Sequence, residues 1–205
     1  FRQIRKACDI DLNVLIRPRF GDFLYTDAEF QMIGEHMRRF RELGADGVVT
    51  GCLKADGDMD LDRMEVLREC AGRLHFTLHR AFDVCRDARR VLEEAVSLGV
   101  DTILTSGQAC DCMAGKEVLK ELLALADGRI EILVGSGVNA EVIRQLKEEI
   151  HANSFHMSGK RKVESGMVYR NEGVSMGLPG LSEFEIFRTD GDEIRRAGRI
   201  LRGLA

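Results

Sequence analysis

One feature constrains this chain more than any other: short, nearly continuous apolar runs alternate with longer segments of helical period. The runs fall at residues 12–16, 47–50, 76–79, 102–105, 130–134 and 153–156. Their centres lie roughly 23 to 34 residues apart, the length of one strand–helix unit. Apolar character along a whole run suits a strand covered on both faces, as in a parallel sheet. The intervening segments carry helix punctuation. Thr26 and Glu29 form a capping box, ahead of an apolar face of Phe30, Ile33, Met37, Phe40 and Leu43 that stops at Gly44. Val91, Leu92, Ala95 and Leu98 repeat the pattern before Gly99, as do Val118, Leu119, Leu122 and Leu125 before Gly128. Asn139 caps a segment with Val142, Ile143 and Leu146, and Asp190 with Glu193 opens a last helix.

A chain of 205 residues, 44% hydrophobic, suffices for one domain with a full core. No Ser/Pro-rich linker interrupts it, so residues 1–205 read as a single (β/α)-barrel domain, with 163–205 as a closing loop and C-terminal helix. Six units do not close an eight-stranded barrel, and an open doubly wound sheet shares the same local grammar. The chain begins at Phe1, and residues 1–8 read as the last turns of an amphipathic helix. The expectation is therefore an α/β fold of the TIM-type (β/α)8 class with its first strands missing, the visible strands being the third to the eighth.

Charge and cysteine usage narrow the partners. The net charge is −4 with Lys and Arg scattered, which predicts neither a nucleic-acid nor an anionic-membrane partner. No apolar run approaches the ~20 residues of a spanning helix. Six cysteines without framework spacing fit reduced thiols in the cytoplasm.

In parallel α/β folds chemistry collects at strand exits. Those exits carry Arg17, Arg19 and Asp22; His79 and Arg80; Thr105 and Ser106; Gly135, Ser136 and Gly137; and His156 and Ser158. Guanidinium, imidazole and hydroxyl groups around one mouth suit a small anionic ligand bearing phosphate or carboxylate. The Gly135–Ser136–Gly137 turn offers amides to such an anion, or is simply a tight turn. Arg17 and Arg19 could equally clamp neighbouring carboxylates. His79 is the candidate catalytic base, with Asp22 or Asp83 as a carboxylate partner; Arg80 falls on the opposite pleat face.

Three motifs fail on inspection. Asp56, Asp58 and Asp60 open like a calcium loop, but Leu61 and Leu67 occupy the glycine and closing glutamate positions. The segment from Gly107 to Lys116 has the wrong length for a P-loop. Cys110-x-Cys112 with Met113 is a soft-metal pattern without a second pair.

The strand-end strings closely resemble the CutC family: Ile16-Arg17-Pro18-Arg19, Gly21-Asp22-Phe23-Leu24-Tyr25, Leu43-Gly44-Ala45-Asp46, His79-Arg80-Ala81-Phe82-Asp83, Leu104-Thr105-Ser106-Gly107 and Ser165-Gly166-Met167. The resemblance implies a TIM-type barrel, cytoplasmic location, a homodimer or higher homo-oligomer, and a copper homeostasis role with a bound copper ion. It places the family's metal-binding cysteines on strands upstream of Phe1, not on Cys8 or Cys52. Val134-Gly135-Ser136-Gly137 departs from the family's Pro-Gly-Gly-Gly, and Met157 from its small residue. Beside copper handling stand two other readings: an enzyme or sensor for the small anion, and an association scaffold using the tail at residues 167–181.

Overall fold

The computed structural model describes residues 1–171, 173–174 and 182–204. Six parallel strands pair in strict chain order: β1 (Asn13–Leu15), β2 (Gly47–Thr50), β3 (His75–Leu78), β4 (Thr102–Thr105), β5 (Glu131–Val134) and β6 (Ser154–Phe155). Between them run α2 (Asp27–Glu42), α3 (Leu61–Ala71), α4 (Ala88–Ser97), α5 (Lys116–Ala126) and α6 (Ala140–Ile150), preceded by α1 (Arg2–Ala7). A doubly wound sheet reverses its strand order at a switch point. Here the order never reverses, and the sheet is an arc of a (β/α) barrel.

The central strands β2, β3 and β4 have both faces covered, whereas β1 at the edge leaves Asn13 and Leu15 exposed. Val48, Phe76 and Ile103 are fully buried on β2, β3 and β4, and Thr50, Thr77, Thr102 and Thr105 are buried among them. One continuous apolar core runs from Ile16 to Ala152, joining the strands to α2–α6. The capping box is present: Thr26 accepts from the Glu29 amide, and Glu29 accepts from the Thr26 amide at 2.8 Å.

The string Leu-Gly-x-Asp occurs twice, at Leu43–Asp46 and Leu98–Asp101, and does the same work each time. Gly44 (φ 82) and Gly99 (φ 68) end α2 and α4 in left-handed turns. The next amides, of Ala45 and Val100, reach back to the Phe40 and Ala95 carbonyls at 3.0 Å. The aspartates then accept strand amides, Asp46 from Leu12 and Asp101 from Phe76, each at 2.7 Å. These carboxylates sit at the N-terminal ends of the strands, the face that serves stability, and leave the opposite mouth for chemistry.

The C-terminal part differs from a plain closing loop. Strands β7 (Lys160–Glu164) and β8 (Glu185–Thr189) pair antiparallel in a ribbon of their own, ahead of α7 (Gly191–Leu201). Charged residues within β7 mask its strand pattern from a search for apolar runs. Helix α7 packs on α6 through Ala197, Ile143 and Ala140, and Glu193 accepts the Ala140 amide at 2.7 Å. Of the tail at residues 167–181, Met167–Asn171, Gly173 and Val174 are described and exposed; the rest lies outside the described residues.

Candidate functional site

The strand exits separate the sequence-predicted residues into two groups. The first surrounds a cleft of about 450 Å³ at the ends of β4–β6, where Arg80, Ser136, Gly137, His156, Ser158 and Lys160 converge. After β3 a short 3-10 turn at Phe82–Val84 folds the chain back and buries Asp83. The Asp83 carboxylate accepts from Arg80 Nε at 2.6 Å, from Thr105 Oγ1, and from the Ser106 and Gln108 amides. Arg80 Nη2 donates to Ser106 Oγ at 2.8 Å, whereas Nη1 has no partner among the described residues. Thr105 and Ser106, both fully buried, are thus the scaffold beneath Arg80 and do not face the cleft themselves.

On the other wall, Ser136 (φ 71) and Gly137 (φ 76) form a left-handed turn. It is pinned from behind: Ser136 Oγ donates to the Cys110 carbonyl at 2.9 Å and the Cys112 amide donates to the Ser136 carbonyl at 3.1 Å. A Cβ at Gly135 would lie 2.6 Å from Leu104 Cδ1, so a larger residue there would make the end of that side chain swing aside. The amides of Ser136, Gly137, Val138, Met157, Ser158 and Gly159 donate to no acceptor among the described residues. Lys160 lies over the Phe187 ring at 4.2 Å. The Arg80–Asp83 pair is formally neutral, so the positive potential comes from Lys160 and the unpaired amides, and no carboxylate lines the cleft among the described residues. Asp111 lies beneath Gly137; the Ala114 amide first, then that of Met113, holds its carboxyl below the usual range.

The second group gathers at the ends of β1–β3. His79 is 4% exposed. Its Nδ1 accepts the Ala81 amide at 3.2 Å, and its ring lies 4.6 Å from that of Phe23. Burial first, and the nearby Arg17 charge second, push its pKa down to about 4. Arg17 lies 4.6 Å over the same Phe23 ring and donates to the Gly21 carbonyl. Tyr25 is buried alongside, and desolvation raises its phenol to about 12.

Asp22 joins neither group, and Arg19 only borders the second, lying 5.2 Å over the Tyr25 ring. Arg19 pairs with Glu29 at 2.6 Å and Asp22 at 2.8 Å, and donates to the Leu24 carbonyl. It is a clamp between the β1 exit and the capping box of α2. The Asp56–Asp60 run is also committed elsewhere, with Asp58 paired to Arg90 and Asp60 capping α3.

Sequence reasoning missed Lys160, Tyr25 as a site residue, and Asp83 as a strut. A cation two residues beyond Ser158 was a usable signal for Lys160; the fold-back that buries Asp83 left none.

Comparisons with known proteins agree on one family. The model of the CutC family matches residues 1–161. A family protein CutC of Parabacteroides distasonis is 48% identical over 91% of this chain and 77% of its own. Another, of Salmonella schwarzengrund, is 40% identical over 93% of this chain and 76% of its own. The solved structure from Streptococcus agalactiae, described as a copper homeostasis protein CutC, superposes with a TM-score of 0.72 at 32% identity, covering 76% of each chain. Mandelate oxidase, at 16% identity and TM-score 0.52, shares the fold over 71% of this chain and 55% of its own. The chain belongs to the CutC family.

Proposed function

We propose that this chain is a cytoplasmic copper homeostasis protein whose own chemistry is recognition of a small oxyanion, a phosphate or carboxylate group, in the β4–β6 cleft. The observation that carries this reading is the lining of the cleft: Arg80 and Lys160 meet there with Ser136, Gly137, Val138, Met157 and Ser158, whose amides are unpaired, and no carboxylate lines it among the described residues. Amides fixed in a turn bind anions without reorganising, and a guanidinium held by Asp83 and Ser106 loses little entropy on contact. The copper connection rests on the role described for the solved relative, and the same resemblance supports assembly as a homodimer or higher oligomer. No helix among the described residues is long and apolar enough to cross a membrane.

Direct copper ligation by these residues is poorly supported. Among the described residues no three His, Cys, Asp or Glu side chains converge as a metal-binding group. Burial raises the thiols of Cys52 to about 12 and Cys85 to about 11, which keeps them protonated and poor ligands. Cys110 is exposed while Cys112 is buried, so that pair does not present two sulfurs together.

Calorimetric titration with inorganic phosphate tests the reading. Wild-type chain is expected to bind with a dissociation constant in the micromolar to millimolar range, and Arg80→Ala to weaken binding at least tenfold. No binding by the wild type overturns it. Anaerobic titration of Cu(I) against a competing chelator runs beside it; stoichiometric capture would restore a direct metal role, with Cys52 the first residue to replace.

A further inference from the structure

The cleft at the ends of β4–β6 is larger than an oxyanion alone needs. Small-molecule sites enclose about 300–1,000 Å³, and this one encloses about 450 Å³. A bare phosphate ion would leave much of that volume to water. The lining also divides in character. Arg80 and Lys160 bring charge, and the turns at Ser136–Gly137 and Met157–Ser158 bring backbone amides with no acceptor among the described residues. Leu104, Val138 and Met157 bring apolar surface, and His156 brings an imidazole.

The donors favour phosphate over carboxylate. A carboxylate offers two oxygens with about four lone-pair sites. A phosphate monoester offers three terminal oxygens and about −1.5 to −2 of charge at pH 7. The unpaired amides, Arg80 Nη1 and the Lys160 amine together exceed what one carboxylate can accept. Lys160 is not neutralised by an acid: its neighbour is the face of the Phe187 ring at 4.2 Å, and no carboxylate pairs with it among the described residues.

The remaining lining describes the remainder of the ligand. The His156 side chain is exposed and its ring has no hydrogen-bond partner among the described residues, which leaves it able to bond a hydroxyl. This imidazole, not the buried His79, is the one that reaches the cleft. Leu104 and Val138 cover carbon, and the flexible Met157 thioether can adapt to its shape. No Phe, Tyr or Trp lines the cleft among the described residues, and stacking on such rings is what commonly holds a nucleobase. We propose that the cleft selects the phosphate monoester of a short hydroxylated carbon chain, with Arg80, Lys160 and the turn amides on the phosphate and His156 on a hydroxyl. This inference deepens the oxyanion reading and rests on it.

Calorimetric titration of the whole chain at pH 7 with glycerol 3-phosphate, inorganic phosphate and glycerate separates the two levels. Glycerol 3-phosphate is expected to bind at least about tenfold more tightly than either of the others. Lys160→Ala should weaken both phosphates at least about fivefold. His156→Ala removes an exposed side chain that bonds to nothing among the described residues. It should bring glycerol 3-phosphate to within about threefold of inorganic phosphate while leaving inorganic phosphate unchanged. Inorganic phosphate or glycerate binding as tightly as the ester overturns the proposal and leaves the oxyanion reading standing. An ester advantage that survives His156→Ala overturns the placement of a hydroxyl against that ring, and the proposal with it. Absence of binding by all three overturns both levels.

Discussion

Asp83 holds Arg80 by its Nε at 2.6 Å while only 4% of the Asp83 side chain is exposed. One carboxylate thereby sets the direction of the guanidinium, the two hydroxyls beneath it and the turn after β4. Asp83→Asn should destabilise the fold by about 2–3 kcal/mol, the usual loss for hydrogen bonds to a buried charge. It should also weaken phosphate binding roughly tenfold through loss of Arg80 alignment, about 1.4 kcal/mol. Urea denaturation and phosphate titration of the same variant separate the two effects. Unchanged phosphate affinity would show that Arg80 orients itself without the strut.

Arg19 should behave oppositely. Its guanidinium is engaged by Glu29, Asp22 and the Leu24 carbonyl. Arg19→Ala should lower stability only slightly, as expected for a solvent-screened pair, and leave phosphate affinity unchanged. A large affinity loss would return Arg19 to the ligand-binding set.

His79 makes stability pH-dependent in a defined window. Its folded value of about 4 lies below the unfolded value of 6.5. As pH falls below 6.5 the unfolded chain takes up the proton first, so stability present above 6.5 is lost progressively toward pH 4. The full loss is roughly 3 kcal/mol at 1.36 kcal/mol per pH unit. Urea midpoints measured between pH 7.5 and 5 should fall in the wild type and stay nearly level in His79→Gln. Parallel curves for both proteins would rule out this origin.

Two glycines with similar backbone angles separate space from conformation. Gly107 (φ +74) would place a Cβ 2.3 Å from the Gly115 carbonyl oxygen, whereas Gly44 (φ +82) has open space around it. Gly44→Ala should cost only the left-handed conformation, about 1–2 kcal/mol. Gly107→Ala should cost at least about 3 kcal/mol, because backbone must move as well. Thermal midpoints of the two variants provide the check, and equal losses would contradict the steric argument.

The strand registers show how far local pattern reaches. Gly47–Thr50 and Thr102–Thr105 coincide with their apolar runs, β5 differs from its run by one residue at one end, and β1, β3 and β6 differ by one residue at each end. Caps at Thr26, Asn139 and Asp190 are where their side-chain chemistry places them. The β7–β8 ribbon escaped because Lys160, Arg161 and Lys162 interrupt any apolar alternation, and its pairing partner lies more than twenty residues on. At the site, the exits of all six strands were readable. Which exit residues face a ligand and which are struts was not. Thr105 and Ser106 proved to be scaffold, and Arg19 a clamp, because a side chain's partners come from segments distant in sequence.

By itself the sequence determined the parallel α/β architecture, the sites of the caps and the membership of a family, since periodicity, capping and strand-end strings are local properties written in consecutive residues. Only the tertiary structure decided that the barrel mouth holds two groups rather than one. It set the proton of His79 on Nε2 through the Ala81 amide, and it buried Asp83 beneath Arg80. Those outcomes depend on which atoms meet across the fold and how much water is excluded between them, and neither quantity exists until the chain has closed upon itself.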